Sequence, residues 1–174
     1  QLGLKVLALE PKNHAGVRRV LDALGQMLGA DDAQRVWRAI DASVSAVARS
    51  LPPEARGKRV YFEIDSTPYA AGESSFIGET LTLLDMKNIV PAALGPFPRL
   101  NPEYVVRGNP DLIMVAERSA QGLEQRPGWS LIRAVREGRI CRFSAAQVDV
   151  LVRPGPRMGE AAQIMAQCIV DQSK

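Results

Sequence analysis

The sequence predicts an α/β fold, a mainly parallel sheet flanked by helices and preceded by a long helix. Three observations carry that expectation. Short apolar runs with strand character recur at Val60–Ile64, Asp111–Val115 and Arg139–Phe143. Helical patterns and polar loops, rather than two-residue turns, separate them, as parallel pairing requires. The chain has 174 residues, 46% of them hydrophobic and 24% charged, which is enough for one substantial core.

Each element follows from local chemistry. Leu4 to Leu9 reads as a short buried strand closed by Pro11. Asn13 stands where a helix needs a capping side chain, and Val17, Val20, Leu21, Leu24 and Leu28 then recur at helical spacing up to Gly29. Asp31 and Asp32 put negative charge at the start of a second helix, where the backbone dipole favours it. Val36, Ile40, Val44, Val47 and Leu51 stripe that helix until Pro52–Pro53 stops it, making it the longest predicted. After the strand Val60–Ile64, the polar stretch from Asp65 to Ser75 leads to a helix carrying Phe76, Ile77, Leu81 and Leu84. A brief strand at Ile89–Val90, an extended loop from Pro91 to Leu100 and a short helix opened by Asn101-Pro102-Glu103 follow. Beyond the strand Asp111–Val115 come a helix over Trp129–Val135, the strand Arg139–Phe143, and a last helix from about Pro156 with Met158, Ala161, Ala162, Met165 and Ile169 on one side. In parallel sheets ligands sit beyond the carboxyl ends of the strands, so the loops after Ile64, Val90, Val115 and Phe143 are the candidate functional segments.

Composition and motifs narrow the function. The net charge of +3 is spread rather than gathered into a stripe, which argues against nucleic-acid binding. No stretch approaches the ~20 apolar residues of a membrane span. No dinucleotide fingerprint, phosphate-binding loop or nucleophile elbow is present. The single histidine, His14, is read as a surface residue, and with one histidine neither a Ser/His/Asp set nor a multi-histidine metal site can be assembled. Asp65, Glu73, Glu103, Glu117 and Asp149 supply carboxylates, but nothing in the spacing makes any two of them a pair. Cys141 and Cys168 match no zinc or redox motif, leaving a disulfide, free thiols or one of each as the alternatives.

Four segments carry a resemblance. These are Thr67 to Ile77 with its continuation Leu83 to Val90, then Phe97-Pro98-Arg99-Leu100-Asn101-Pro102-Glu103, then Asn109-Pro110-Asp111-Leu112-Ile113-Met114-Val115, and finally Arg153-Pro154-Gly155-Pro156-Arg157-Met158. In order and spacing they resemble the second lobe of the periplasmic substrate-binding proteins for metal chelates, the cobalamin, haem and siderophore receptors of ABC importers. The resemblance implies that residues 1–29 end a first lobe, that 30–53 form the helix joining the lobes, and that 54–174 are the C-terminal α/β lobe. Most of a first lobe would then be missing. It further implies a non-enzymatic protein, periplasmic or lipid-anchored at the cell surface, monomeric when full length, with a permease of the inner membrane as partner. It would hold no cofactor of its own, its ligand being the chelate.

The resemblance also nominates residues. Tyr69 and Phe97 match ligand-facing aromatics, whose rings suit a large, partly apolar macrocycle. Gly72 would let a ligand approach the backbone, and Asp149 falls near a polar ligand contact. The Val150-Leu151-Val152 that follows departs from the aromatic and acidic character found in cobalamin receptors. Glu103 corresponds to the acidic residue that docks this lobe on the permease, although a glutamate at the start of a helix is favoured by the dipole in any case. Trp37 and Trp129 read as packing residues. The competing readings are an α/β enzyme or accessory domain whose site, using Asp65, Glu73 or Asp149, is completed by a missing segment, and a remnant serving as an interaction surface.

Overall fold

A computed structural model describes residues 9–66 and 68–173. The predicted strand Leu4–Leu9 falls outside them except for its last residue. The first helix, α1 (His14–Leu28), starts where Asn13 accepts from the Gly16 amide, and Gly29 ends it. The second, α2 (Ala33–Ser50), is capped without its aspartates: Asp32 makes no side-chain bond to the helix amides and instead pairs with Arg35 at 2.8 Å.

Among the described residues the sheet has five strands, β1 (Arg59–Asp65), β2 (Tyr69–Ala70), β3 (Lys87–Asn88), β4 (Leu112–Ala116) and β5 (Ile140–Phe143). Its order is β2-β1-β4-β5, with β3 also pairing β1. All these pairings are parallel except that of β2, which folds back on β1. The antiparallel β2 lies inside the stretch read from sequence as loop, because two residues are too few to show a period. The predicted strand at Ile89–Val90 begins two residues earlier, and the Ile89 amide still donates to the Val60 carbonyl.

Side chains alternate between the faces, as a pleated strand requires. Val60, Phe62, Leu112, Met114, Cys141 and Phe143 join one core. With them pack α2, α3 (Phe76–Leu83), α7 (Ala145–Leu151) and α8 (Met158–Asp171). Tyr61, Ile113, Val115 and Ile140 face the other way, onto α4 (Pro102–Gly108) and the irregular segment 117–135 with Leu123, Trp129 and Ile132. That segment holds two short helices, α5 (Glu117–Ala120) and α6 (Arg133–Arg136), separated by tight turns. The helix predicted over Trp129–Val135 is therefore split at the extended Ile132, where the Arg133 amide donates to Asn109 Oδ1 at 2.8 Å and the Ala134 amide to the Pro110 carbonyl at 3.1 Å instead of to carbonyls of a continuous helix. The helix α7 was not predicted, although Ser144 and Gln147 form a complete capping box.

Two ties fix the layers. The disulfide Cys141–Cys168 joins β5 to α8, settling the alternatives left open by the spacing. Where α8 crosses α2, Gly159 lies against Ser43 so closely that a methyl group there would collide with the serine. The glycine sets the helix separation.

Candidate functional site

The candidate site is built on the carboxyl ends of β1, β4 and β5. Three cavities lie there, and Val152, just after α7, lines every one of them. The first, of 420 Å³, lies between residues 9–12 and the end of β1, with Ile64, Phe76, Phe97 and Pro154 in its wall. The middle one, of 10 Å³, reaches Glu63, Ala116 and Phe143. The third, of 530 Å³, opens beyond β4 and β5 and is lined by Glu117, Arg118, Gln121, Asp149 and Arg153. A larger hollow of 960 Å³ runs instead along the outer edge of β5 between α2 and α8, away from the strand ends.

Of the nominated residues, Phe97 and Asp149 are brought to the two ends of this floor. Phe97 is half-buried, its ring meeting Phe76 edge-on at 5.7 Å. Asp149 is half-exposed and held by Arg153 at 2.7 Å and Arg157 at 3.5 Å. Tyr69 and Gly72 lie in the turn that pairs with residues 96–100, through Ala70 N to Pro98 O at 3.1 Å and Gly72 N to Pro96 O at 2.9 Å. Tyr69 is 43% exposed, opposite Arg99, and lines none of the three cavities. Gly72 is buried, and the close approach it permits is occupied by the Gly95 carbonyl. Glu103 stands exposed on the first turn of α4, apart from the cavities, its amide capped by Asn101.

His14 is half-buried rather than a free surface residue. Thr80 donates its hydroxyl to the Phe76 carbonyl, so its oxygen is free to accept from the ring Nε2 of His14 at 3.0 Å, which assigns the proton to that nitrogen. The His14 amide donates to Glu79 at 2.6 Å, and the ring meets Trp37 edge-on. Burial pushes the imidazole below its ordinary value of 6.5, against the opposing pull of Glu79, the Phe76 carbonyl and Asp41. A depressed histidine favours folding fully above the unfolded-state value and loses that contribution as pH falls from about 6.5 through the folded-state value. Because it is the single histidine, we expect the midpoint of thermal unfolding to drop between pH 7.5 and 5.5, and His14→Phe to flatten that part of the profile. Calorimetric scans at the two pH values check this; an unchanged pH profile in the variant would remove His14 as the cause.

The most heavily buried charge was missed from sequence. Glu63, on the Tyr61 face of β1, is fully buried and takes a two-pronged bond from Arg126 at 2.6 and 2.9 Å. Arg126 lies 4.5 Å over the Trp129 ring and also donates to the Ser119 carbonyl at 3.1 Å. The Tyr61 hydroxyl donates to Glu63 at 3.3 Å, and burial, then the Glu63 charge, pushes that phenol up. A carboxylate in the middle of a buried strand demands a buried partner, so Glu63 was itself the signal. No local pattern names Arg126. The network ties the end of β1 to the segment that walls the third cavity.

Comparison with known proteins accords with this architecture. The chain is 26% identical over 175 residues to an uncharacterized ABC transporter substrate-binding lipoprotein, YvrC, of Bacillus subtilis (strain 168), covering 96% of this chain and 54% of the relative. It thus spans about half the length of that curated relative. Among solved structures, a possible iron-binding (periplasmic solute-binding) protein of Staphylococcus epidermidis ATCC 12228 superposes with a TM-score of 0.81 at 23% identity, over 96% of this chain and 67% of the other. The periplasmic vitamin B12 binding protein BtuF of Vibrio cholerae gives 0.73 at 19%, over 99% and 68%. IsdE of S. aureus, solved with heme, gives 0.76 at 14%, over 97% and 69%. At these identities the structural likeness speaks for the fold. The family model for periplasmic binding protein matches residues 1–146, most of the chain. That match favours binding over the enzyme alternative, and it earns a plain conclusion: the chain belongs to the periplasmic binding protein family.

Proposed function

We propose that the chain is the connecting helix and second lobe of a solute-binding protein that delivers a metal chelate, of the cobalamin, haem or ferric-siderophore kind, to an ABC permease. Residues 1–29 would close a first lobe, 30–53 join the lobes, and 54–174 form the second. The observation that carries the reading is the row of cavities at the carboxyl ends of three parallel strands, where this architecture places ligands. Relatives named for vitamin B12 and heme support the ligand class, and the name of the B. subtilis relative supports the permease. The far end of α1 supports a further lobe, because Met27 and Leu28 are 66% and 78% exposed. The disulfide fits an oxidising compartment, and no described helix is long and apolar enough to cross a membrane.

In this reading Phe97 offers its ring to the apolar body of the chelate and Tyr69 a second ring from the rim. Gly72 contributes by shaping the turn that carries both, Asp149 organises the polar end, and Glu103 faces the permease from α4. Calorimetric titration of the full-length protein with cobalamin, haem and a ferric siderophore is the test. Saturable binding of one is expected, weakened about tenfold by Phe97→Ala, the scale of one buried aromatic contact. Absence of binding by all three would sink the chelate assignment.

A further inference from the structure

The stretch that leads into α1 is held to the start of α3 by three bonds. The Phe76 amide donates to the Lys12 carbonyl at 2.8 Å, the His14 amide to the Glu79 carboxylate at 2.6 Å, and the His14 ring, through Nε2, to the Thr80 hydroxyl at 3.0 Å. The Phe76 carbonyl lies 3.1 Å from the same nitrogen. Leu9 to Lys12 and Phe76 also line the 420 Å³ cavity together with Phe97, so these bonds hold two parts of one wall. On the division proposed above, residues 12–14 belong to the first lobe and α3 to the second. Of the three bonds, the one from the ring is altered when the imidazole takes up a proton. That proton goes to Nδ1, which has no hydrogen-bond partner among the described residues. The charged groups that act on the ring are Glu79 on α3 and Asp41 on α2, while Lys12 and Arg18 on its own stretch are exposed. Both carboxylates favour the charged ring, yet burial among Trp37 and the start of α3 outweighs them.

Resting on the binding reading above, we infer that His14 and Glu79 are positioning residues for the ligand, a clasp between the lobes that holds Leu9 to Lys12 at the apolar cavity in neutral solution and opens in acid. The charged imidazole is better solvated in water than against Trp37 and Thr80, so a protonated ring turns outward and gives up the Thr80 bond. The entry then rests on its two main-chain bonds alone, and a chelate seated against that wall loses a fixed surface. The neutral histidine is the binding form. Affinity is therefore complete above the ordinary value of 6.5 and is lost as pH falls from there through the lowered value of the closed clasp.

The full-length protein, His14→Gln and Glu79→Gln are titrated with cyanocobalamin, haem and ferrichrome at steps from pH 7.5 to 5.5, with thermal unfolding confirming that each variant is folded. Glutamine at position 14 keeps a side-chain N–H donor and does not titrate. For a chelate that binds at pH 7.5, the unaltered protein is expected to lose about tenfold more affinity than H14Q by pH 5.5. That is the linkage of one histidine of ordinary value 6.5 in the open form, one pH unit below it. E79Q keeps an acceptor for the His14 amide but removes a charge that favours the imidazolium, so its fall in affinity should move to lower pH. Amide exchange in residues 12–14 and 76–80 should be faster at pH 5.5 in the unaltered protein than in H14Q at the same pH. An equal loss of affinity in the unaltered protein and H14Q, a fall in E79Q at the unaltered pH, or equal exchange in the two proteins overturns the clasp and leaves the chelate reading standing. Failure of every chelate to bind at pH 7.5 overturns that reading, and the clasp's role in it.

Discussion

Arg126→Ala is expected to lower the free energy of unfolding by about 3–5 kcal/mol, the scale of removing one partner from a buried ion pair. The loss arises from what is left behind. The Glu63 side chain has no exposure to water, so without the guanidinium its carboxylate keeps one bond, from Tyr61 at 3.3 Å. The Ser119 carbonyl loses a donor and the Trp129 face loses its cation in the same step. Glu63→Ala should cost less. Arg126 remains 21% exposed, and it retains both the Trp129 ring and the Ser119 carbonyl. Replacing both residues by methionine should recover much of the deficit, because no charge is then buried alone. Urea unfolding followed by tryptophan fluorescence measures all three. If Arg126→Ala proved no worse than Glu63→Ala, the desolvated carboxylate would not be the source of the loss.

Removing the disulfide with Cys141→Ala and Cys168→Ala is expected to cost about 3.5 kcal/mol, from the chain entropy returned to the unfolded state by opening a loop of 27 residues' separation. Alanine is the suitable replacement because Cys141 is 1% exposed, and a serine hydroxyl there would be buried without a partner. The native protein treated with excess thiol should fall to the midpoint of the double variant and regain its own on reoxidation. Since β5 lies at the edge of the sheet, the loss should be seen first as faster amide exchange in β5 and α8. Exchange that quickened uniformly would argue that the bond stabilises the whole chain and not this edge.

What could be read in the sequence was what local chemistry decides. The strands from Val60, Leu112 and Ile140 and the helices ending at Gly29 and before Pro52 follow from periodicity and punctuation. So does α4, where Asn101 and Pro102 both act locally. What escaped depends on partners distant in sequence. The hairpin strand Tyr69–Ala70 exists because residues 96–100 lie beside it. The split of Trp129–Val135 goes with the amides of Arg133 and Ala134, which are taken by Asn109 and Pro110. His14 carries no mark of burial, and Thr80, 66 residues on, supplies its bond. In the candidate site the aromatic Phe97 and the acid Asp149 were legible as residue types in the right loops.

The short stretch from Leu9 to Lys12 has a mechanical meaning. It walls the apolar cavity, and the Lys12 carbonyl accepts from the Phe76 amide at 2.8 Å. Phe76 in turn carries the ring against which Phe97 rests. Residues 9–12 and the Phe76–Phe97 pair thus form one wall of the apolar cavity, joined by that main-chain bond.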